Sequence, residues 1–208
     1  MRLVLASASP ARLSVLRSAG VQPEVAVSDV DEDAVLASLP DASPAETVTA
    51  LAVAKATAVA ERVGDRLPDA VVVGCDSMLH VGGALVGKPG TAEVARARWR
   101  AMAGNTGELL TGHAVLRLDD GAVGRVAEGH AVTTVRFGRP DPAELEAYLA
   151  TDEPLAVAGA FTLDGLGGWF VDGIEGDPSN VIGLSLPLTR RLLAGVGVSV
   201  TELWQPAD

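Results

Sequence analysis

The feature that most constrains the fold is an uninterrupted apolar run at residues 70–74, Ala-Val-Val-Val-Gly. Runs of this kind are typical of a central strand that is covered on both faces in an α/β sheet. The run leads directly into Cys75, Asp76 and Ser77, so we expect Asp76 at the C-terminal end of a buried strand. Such a carboxylate either takes part in chemistry or is a structural Asp that accepts hydrogen bonds from nearby backbone N–H groups.

A strand, a turn and a helix are predicted at the N-terminus. The apolar residues 3–6 are followed by two serines, and Ser9 is placed to cap a helix that has Pro10 at its first position. Free backbone N–H groups and the helix dipole favour phosphate at such a junction, but an ordinary N-capped helix gives the same pattern. Ser7 and Arg12 lie at this junction, in a segment that is locally positive because it holds arginines and no acidic residue.

The remaining segments predict an α/β fold with a mixed sheet flanked by helices. Helices are expected at residues 43–63, 91–103, 141–150 and 187–194. A two-stranded ribbon is expected at 78–86, with its turn at Gly82 and Gly83, and further strands are expected at 24–27, 109–118 and 122–137. The last two strands are expected to form a long antiparallel hairpin, because the Asp-Asp-Gly between them favours a tight turn. Parallel-type and hairpin connections in one chain indicate a mixed sheet. The length fits a single domain spanning 1–208.

Composition argues against several classes of function. The net charge of −11 disfavours a nucleic-acid partner, because nucleic-acid binding normally requires a basic stripe. No stretch approaches the roughly 20 apolar residues of a membrane span, and the start turns polar too soon for a secretory signal. We therefore expect a cytoplasmic protein with no membrane partner. The single cysteine, Cys75, excludes an internal disulfide and fits a reducing compartment.

Lysine is rare in this chain, since Lys55 and Lys88 are the only two against fourteen arginines. A compact ammonium acts as a point charge on phosphate, so the two positions are candidate phosphate contacts. Lys88 lies between Gly87 and Pro89, in a stiff loop. Lys55 lies in the middle of a predicted helix, where its side chain either reaches a ligand or extends to solvent. A coding bias against lysine would also leave two such residues.

Further polar groups come from the acidic run at residues 28–33. Its carboxylates, Glu32 among them, either form a solvated turn or face a metal ion. His80, His113 and His130 are scattered, without the spacing of a histidine metal site or a Ser/His hydrolase. Lysines, hydroxyls, an arginine at a helix N-terminus and carboxylates at strand or loop ends together indicate binding of a polyphosphate through a divalent cation.

Six short segments carry a resemblance that extends over essentially the whole chain. They are Leu-Ala-Ser-Ala-Ser-Pro-Ala-Arg at 5–12, Ala-Lys-Ala at 54–56, Gly-Cys-Asp-Ser at 74–77, Gly-Lys-Pro at 87–89, Ala-Gly-Ala-Phe at 158–161 and Val-Ile-Gly-Leu-Ser-Leu-Pro at 181–187. In this order and at compatible spacing, they closely resemble the Maf family of nucleoside triphosphate pyrophosphatases. One such motif alone would be weak, whereas six together are specific.

The resemblance implies both a fold and a reaction. The fold is an elongated mixed α/β structure with two lobes and a central cleft, of the Maf and inosine triphosphate pyrophosphatase type. The reaction is hydrolysis of a nucleoside triphosphate, modified or noncanonical ones included, between the α- and β-phosphates to the monophosphate and pyrophosphate. It uses a divalent cation, Mg²⁺ or Mn²⁺, and the family's proteins are often homodimers. The alternative is a nucleotide-binding regulator of cell division or septum formation with little or no turnover.

The resemblance also assigns roles to residues. It implies Asp76 as the general base and, together with Glu32, as a metal ligand. It implies phosphate contacts at five positions: Ser7, Ser9, Arg12, Lys55 and Lys88.

Three positions depart from the family's pyrimidine-acting branch. Ala11 stands in place of an arginine, Ser77 in place of a threonine and Asp164 in place of a glutamine, which argues against a pyrimidine preference. A carboxylate accepts hydrogen bonds from both N1–H and N2–H₂ of a guanine edge, a pair that thymine and uracil do not offer. We therefore expect Asp164 to favour guanine-type bases.

The glycine-rich stretch at residues 165–168 lacks the Gly-Lys-Ser/Thr ending of a Walker motif. It predicts a tight turn that carries backbone close to a ligand. The aromatic residues Tyr148, Phe161 and Trp169 are expected in the core, and the alternative is that they are platforms on which a base stacks.

Overall fold

A computed structural model describes residues 1–205. Its strands are β1 Arg2–Leu5, β2 Glu24–Val25, β3 Ala70–Val81, β4 Ala84–Val86, β5 Thr106–Asp119, β6 Ala122–Phe137 and β7 Val171–Glu175. Its helices are α1 Pro10–Ser18, α2 Glu32–Ala37, α3 Pro44–Val63, α4 Ala92–Met102, α5 Pro142–Leu149, α6 Pro178–Ile182 and α7 Leu186–Gly195. Short 3-10 helices occupy Glu153–Ala156, Ala158–Ala160, Leu166–Phe170 and Val200–Glu202.

The described strands form one mixed sheet, so the predicted fold class is confirmed. The strand order is β2-β1-β3-β5-β6-β7, and β4 pairs with β3. Strand β1 is parallel to both β2 and β3, whereas the pairs β3–β4 and β6–β7 are antiparallel. The predicted antiparallel neighbours at 109–118 and 122–137 correspond to β5 and β6, which are adjacent in the sheet.

The central apolar run is a strand, but the strand does not end at Asp76. Residues 70–76 of β3 are all buried, as a doubly covered strand requires. Strand β3 continues to Val81, because the residues from Leu79 onward pair with β4 and keep the backbone extended. The prediction that Asp76 follows the end of a strand is therefore wrong, and Asp76 lies within the strand.

The chain divides into two compact units. The first comprises Met1–Asp76, Thr111–Ala131 and the chain from Gly183 to the end of the described residues. Its core lies on both faces of the sheet, because side chains of β1 and β3 alternate. Leu3 and Leu5 belong to one buried cluster, while Val4 and Ala6 belong to the other. Helix α3 covers this second face with a stripe of small and β-branched residues.

The second unit comprises Ser77–Leu110 and Val132–Ile182. Its core centres on Trp99, whose side chain is fully buried. Trp99 contacts Phe137, Tyr148 and Phe170 edge-to-face, with ring centroids 5.9–6.1 Å apart. Its indole Nε1–H donates to the Ala160 carbonyl at 2.8 Å, so the buried polar atom is satisfied.

Three features differ from the sequence-based expectations. The acidic run leads into α2 and supplies its first turn, because Asp31 caps the helix by accepting from the Ala34 N–H and Glu32 and Asp33 are its first residues. Strand β7 follows the glycine-rich stretch, where no strand was predicted. Tyr148 and Phe161 lie in the core as expected, but Trp169 is 84% exposed and the prediction for it is wrong.

Among the described residues, none of the helices is both long and apolar enough to cross a membrane.

Candidate functional site

Close packing of helix α3 on strand β3 places Lys55 beside Asp76. Gly74 permits the approach, because a Cβ added there would lie 2.4 Å from the Ala52 carbonyl oxygen and 2.9 Å from the Ala56 Cβ. No residue larger than glycine fits without moving the helix. Two turns of small residues on α3 thus face the strand, and Lys55 lies between them.

The Lys55 ammonium bridges two carboxylates. Its Nζ donates to Asp76 Oδ1 at 2.6 Å and lies 2.8 Å from Glu32 Oε1. Lys55 is 8% exposed and Asp76 is 7% exposed, whereas half of the Glu32 side chain remains exposed. The interpretation that Lys55 extends to solvent is therefore wrong, and Glu32 belongs to an ion-paired cluster at the start of α2.

Asp76 has one committed oxygen and one free oxygen. Among the described residues, Asp76 Oδ2 is buried and has no hydrogen-bond partner, whereas Oδ1 accepts from Lys55. No backbone N–H within residues 1–205 donates to this carboxylate, so the alternative of an Asp satisfied by backbone groups is wrong. Burial raises the pKa of Asp76, while the charges of Lys55 and Arg12 oppose the rise. The arrangement leaves a buried oxygen without a hydrogen-bond partner on a carboxylate that is easier to protonate than usual.

The N-terminal junction is built from Ser7, Ser9 and Arg12. Ser9 is the N-cap of α1, since its Oγ accepts from the Arg12 N–H at 3.4 Å. Ser7 Oγ accepts from the Ser9 N–H at 3.2 Å and from Arg12 Nη1 at 3.0 Å. Arg12 Nε also donates to the Gly183 carbonyl at 2.8 Å, which fixes the guanidinium at the helix N-terminus. The N-capped helix is confirmed, while phosphate binding at this junction stays a prediction.

The carboxylates of the site can hold a divalent cation only with help from a ligand. In the part of the chain that the structure describes, no group of three or more His, Cys, Asp or Glu side chains could hold a metal ion. Magnesium is commonly held by one or two carboxylates together with substrate phosphates and water. The free Asp76 Oδ2 and the half-exposed Glu32 fit that mode of binding, in which the ligand completes the coordination.

The other predicted positions, Lys88, Ser77 and Asp164, belong to the second unit. Lys88 is exposed in the loop between β4 and α4. This loop is anchored at Gly87, whose carbonyl accepts from Arg98 Nη1 and from the Gly159 N–H. Asp164 is exposed in the glycine-rich stretch.

Sequence reasoning missed two polar residues that organise the units. Glu153 binds the glycine-rich stretch of the second unit through its carboxylate. In the first unit, His113 Nε2 accepts from the Ser185 N–H at 2.8 Å, and Nδ1 lies 3.0 Å from the Thr111 carbonyl. His113 is thus a structural histidine that connects β5 to the N-cap of α7. Neither residue lies in a pattern that distinguishes it from surface or loop residues.

Taken together, the mixed sheet, the buried Lys–Asp pair and the arginine at a capped helix N-terminus define an α/β protein with the elements of a site for phosphorylated ligands. The chain belongs to the Maf family: the model described as "Maf-like protein" matches residues 2–196.

Relatives of nearly equal length support this membership. A protein of Saccharopolyspora erythraea is 65% identical over 207 residues, covering 99% of this chain and 98% of the relative. One of Nocardia farcinica is 65% identical over 204 residues, covering 98% and 96%. One of Rhodococcus jostii is 67% identical over 203 residues, covering 97% and 95%. All three carry the name nucleoside triphosphate pyrophosphatase.

Proposed function

We propose that this protein is a nucleoside triphosphate pyrophosphatase, a hydrolase that converts a nucleoside triphosphate and water to the monophosphate and pyrophosphate. Full-length relatives that carry this name support the proposal. The observation that carries the mechanism is the buried Asp76, with one oxygen held by Lys55 and the other free.

Asp76 is proposed as the general base. A water oxygen attacks the α-phosphorus, its proton passes to Asp76 Oδ2, and the bond from the α-phosphorus to the bridging oxygen breaks to release pyrophosphate. Burial raises the pKa of Asp76, which favours proton acceptance. Lys55 holds the other oxygen and therefore orients the carboxylate.

Positive groups of the first unit are proposed to neutralise the triphosphate. The Lys55 ammonium has three N–H donors, and two of them serve Asp76 and Glu32, so one remains for a phosphate oxygen. Arg12 and the hydroxyls of Ser7 and Ser9 surround the N-terminus of α1, where the helix dipole favours an anion. Lys88, on its anchored loop, is proposed as a further phosphate contact.

In an alternative role for Asp76, this residue and Glu32 are proposed to hold a divalent cation, Mg²⁺ or Mn²⁺, together with phosphate oxygens; Asp76 Oδ2 would then bind the ion instead of accepting the proton. When bound, such an ion neutralises phosphate charge and lowers the pKa of water. The protein's own part is to keep Asp76 Oδ2 free and to place Glu32 near it through Lys55.

The choice of base is proposed to depend on the second unit and on the N-terminal junction. Asp164 is exposed and can accept two hydrogen bonds from a guanine edge. Ala11 and Ser77 offer shorter side chains than the arginine and threonine of the pyrimidine-acting branch. We therefore propose a preference for guanine-type or other amino-bearing bases.

A panel of canonical and modified triphosphates, assayed with Mg²⁺ or Mn²⁺, tests this function through the products. We expect pyrophosphate and the monophosphate, and a loss of at least about a hundredfold in kcat for Asp76→Asn, because a positioned base contributes 10²–10⁴-fold. Asp69→Asn is the matched control, since Asp69 is an exposed ion-pair residue immediately before the same strand. Orthophosphate as the direct product, or unchanged turnover in Asp76→Asn, would contradict the proposal.

The same assay separates the alternative function, a nucleotide-binding regulator of cell division, which would bind triphosphates without turnover. We further propose that the protein is cytoplasmic and forms a homodimer. Fractionation of cells tests the location, and light scattering of the purified protein tests the oligomeric state.

A further inference from the structure

A single carboxylate organises the glycine-rich stretch of the second unit. Glu153 Oε1 accepts from the Thr162 hydroxyl, from the Gly167 N–H at 3.0 Å and from the Tyr148 hydroxyl at 3.2 Å. Its Oε2 accepts from the Leu166 N–H at 3.1 Å. Four donors from three parts of the chain therefore converge on one side chain.

The backbone of this stretch is shaped around that carboxylate. A Cβ added at Gly165 would lie 2.7 Å from Glu153 Oε2, and one added at Gly167 would lie 2.5 Å from the Tyr148 hydroxyl. Only glycine allows the chain to approach this closely. Burial alone would raise the pKa of Glu153, but hydrogen bonds from Thr162, Gly167 and Leu166 outweigh it and lower the pKa. The carboxylate is thus held in its charged form.

Asp164 lies between the two anchored ends of this loop. Thr162 precedes it and Leu166 follows it, and both are bonded to Glu153, while Asp164 itself is exposed. The backbone on both sides of Asp164 is consequently anchored by a residue eleven positions earlier in the chain. Glu153 can therefore influence the placement of Asp164 without contacting a ligand itself.

We infer that Glu153 is a positioning residue for base selection, which acts by holding the 162–167 loop so that Asp164 can pair with a guanine-type edge. This inference rests on the proposed function, because it assigns the base-reading role to Asp164. Charge-assisted hydrogen bonds are the strong ones, so a neutral replacement of Glu153 loosens the loop even where its shape is kept.

The experiment measures binding of non-hydrolysable α,β-methylene analogues of GTP and UTP, by calorimetry, to the full-length protein. Glu153→Gln keeps one acceptor oxygen but places an NH₂ group against the Leu166 N–H. We expect both Glu153→Gln and Asp164→Gln to lower the GTP-over-UTP affinity ratio by about fivefold to tenfold, because base discrimination depends on well-placed acceptors. Thr162→Val, which removes one donor, gives a smaller fall and guards against misfolding of the first variant.

Glu144→Gln is the matched control. Glu144 is also a glutamate of the second unit, but its carboxylate caps α5 by accepting from the Asp141 N–H at 2.8 Å. The Glu144→Gln variant weakens the N-terminus of α5 without changing a contact of the 162–167 loop. The GTP-over-UTP affinity ratio should therefore stay at the wild-type value. Hydrogen exchange at residues 162–170 should rise in Glu153→Gln and not in Glu144→Gln.

The outcomes separate the inference from the proposed function. A wild-type protein that binds the analogues but releases no pyrophosphate from GTP would overturn the function alone. An unchanged affinity ratio in Glu153→Gln, or in Asp164→Gln, would overturn the inference even if turnover is normal. Binding of neither analogue by the wild-type protein would also overturn it.

Discussion

Replacing Lys55 with methionine tests whether the Lys55–Asp76 pair is the centre of the site. Methionine is close to lysine in length and fits an apolar environment, so packing on α3 is largely kept. What disappears is the ammonium that lies 2.6 Å from Asp76 Oδ1 and 2.8 Å from Glu32 Oε1. The variant therefore leaves a carboxylate that is 7% exposed without its hydrogen-bonded counter-charge.

The expected magnitude follows from burial. Removing one partner of a buried ion pair destabilises a protein by about 3–5 kcal/mol, because the remaining charge is uncompensated. The contact with Glu32 adds only about 0–1 kcal/mol, since half of the Glu32 side chain is in solvent. We expect the free energy of unfolding of Lys55→Met to be about 3–5 kcal/mol lower than that of the wild type near pH 8.

The loss should depend on pH in a definite direction. Burial raises the pKa of Asp76 and Lys55 opposes this rise, so the variant raises the pKa further. A carboxyl whose folded pKa lies above its unfolded value binds more protons when folded, so stability falls as pH rises between the two values. The destabilisation should thus be small near the unfolded pKa of about 3.9 and reach its full size above the folded pKa.

Urea unfolding at several pH values, followed by circular dichroism, measures both effects. In the double variant Lys55→Met/Asp76→Asn no charge remains buried at the pair, so most of the stability should return. A single variant that loses less than about 1 kcal/mol at pH 8, or a loss that is equal at pH 4.5, would refute the reasoning, because the pair would then behave as a surface ion pair.

Two further predictions concern β3. Gly74→Ala should destabilise the protein by about 1–3 kcal/mol in urea unfolding, because its Cβ would lie 2.4 Å from the Ala52 carbonyl oxygen and would push α3 off the strand; an unchanged midpoint would contradict the close packing. Cys75 should stay unmodified by a thiol-reactive dye at pH 8 until the protein unfolds, since burial raises its pKa to about 11; rapid labelling of the native protein would disagree.

Much of the fold could be predicted because local signals agreed with the tertiary structure. Helix α3 has its capping box, in which Ser43 and Glu46 bond reciprocally, and it runs from Pro44 to Val63 as expected. Strand β7 could not be predicted, because Val171–Glu175 is short and partly exposed and is held by pairing with β6. The length of β3 had the same origin, since its last residues are extended through pairing with β4.

The candidate site was predictable in its residue types and only partly in its geometry. Asp76 and Lys55 are 21 positions apart, and nothing in either segment states that α3 lies over β3 at that register. Gly74 and the small residues of α3 permit the close packing of the two elements. Their meaning is clear only once it is known that α3 packs on β3. Glu153 gave no signal at all, because its donors are hydroxyl and backbone N–H groups from α5 and from the 162–167 loop, and the sequence does not show that these groups meet.

The presence of lysine at position 55, in a chain where lysine is rare, has a physical explanation. The space between Asp76 and Glu32 is narrow, because α3 and β3 pack so closely that only glycine fits at position 74. It suits a compact ammonium whose three donors point in different directions. A planar guanidinium binds carboxylates in a fork and needs a wider, flatter space. Lys88 is exposed on its loop, and packing there does not exclude arginine. Packing therefore gives a reason for lysine at position 55 and none at position 88, where a phosphate contact stays a prediction.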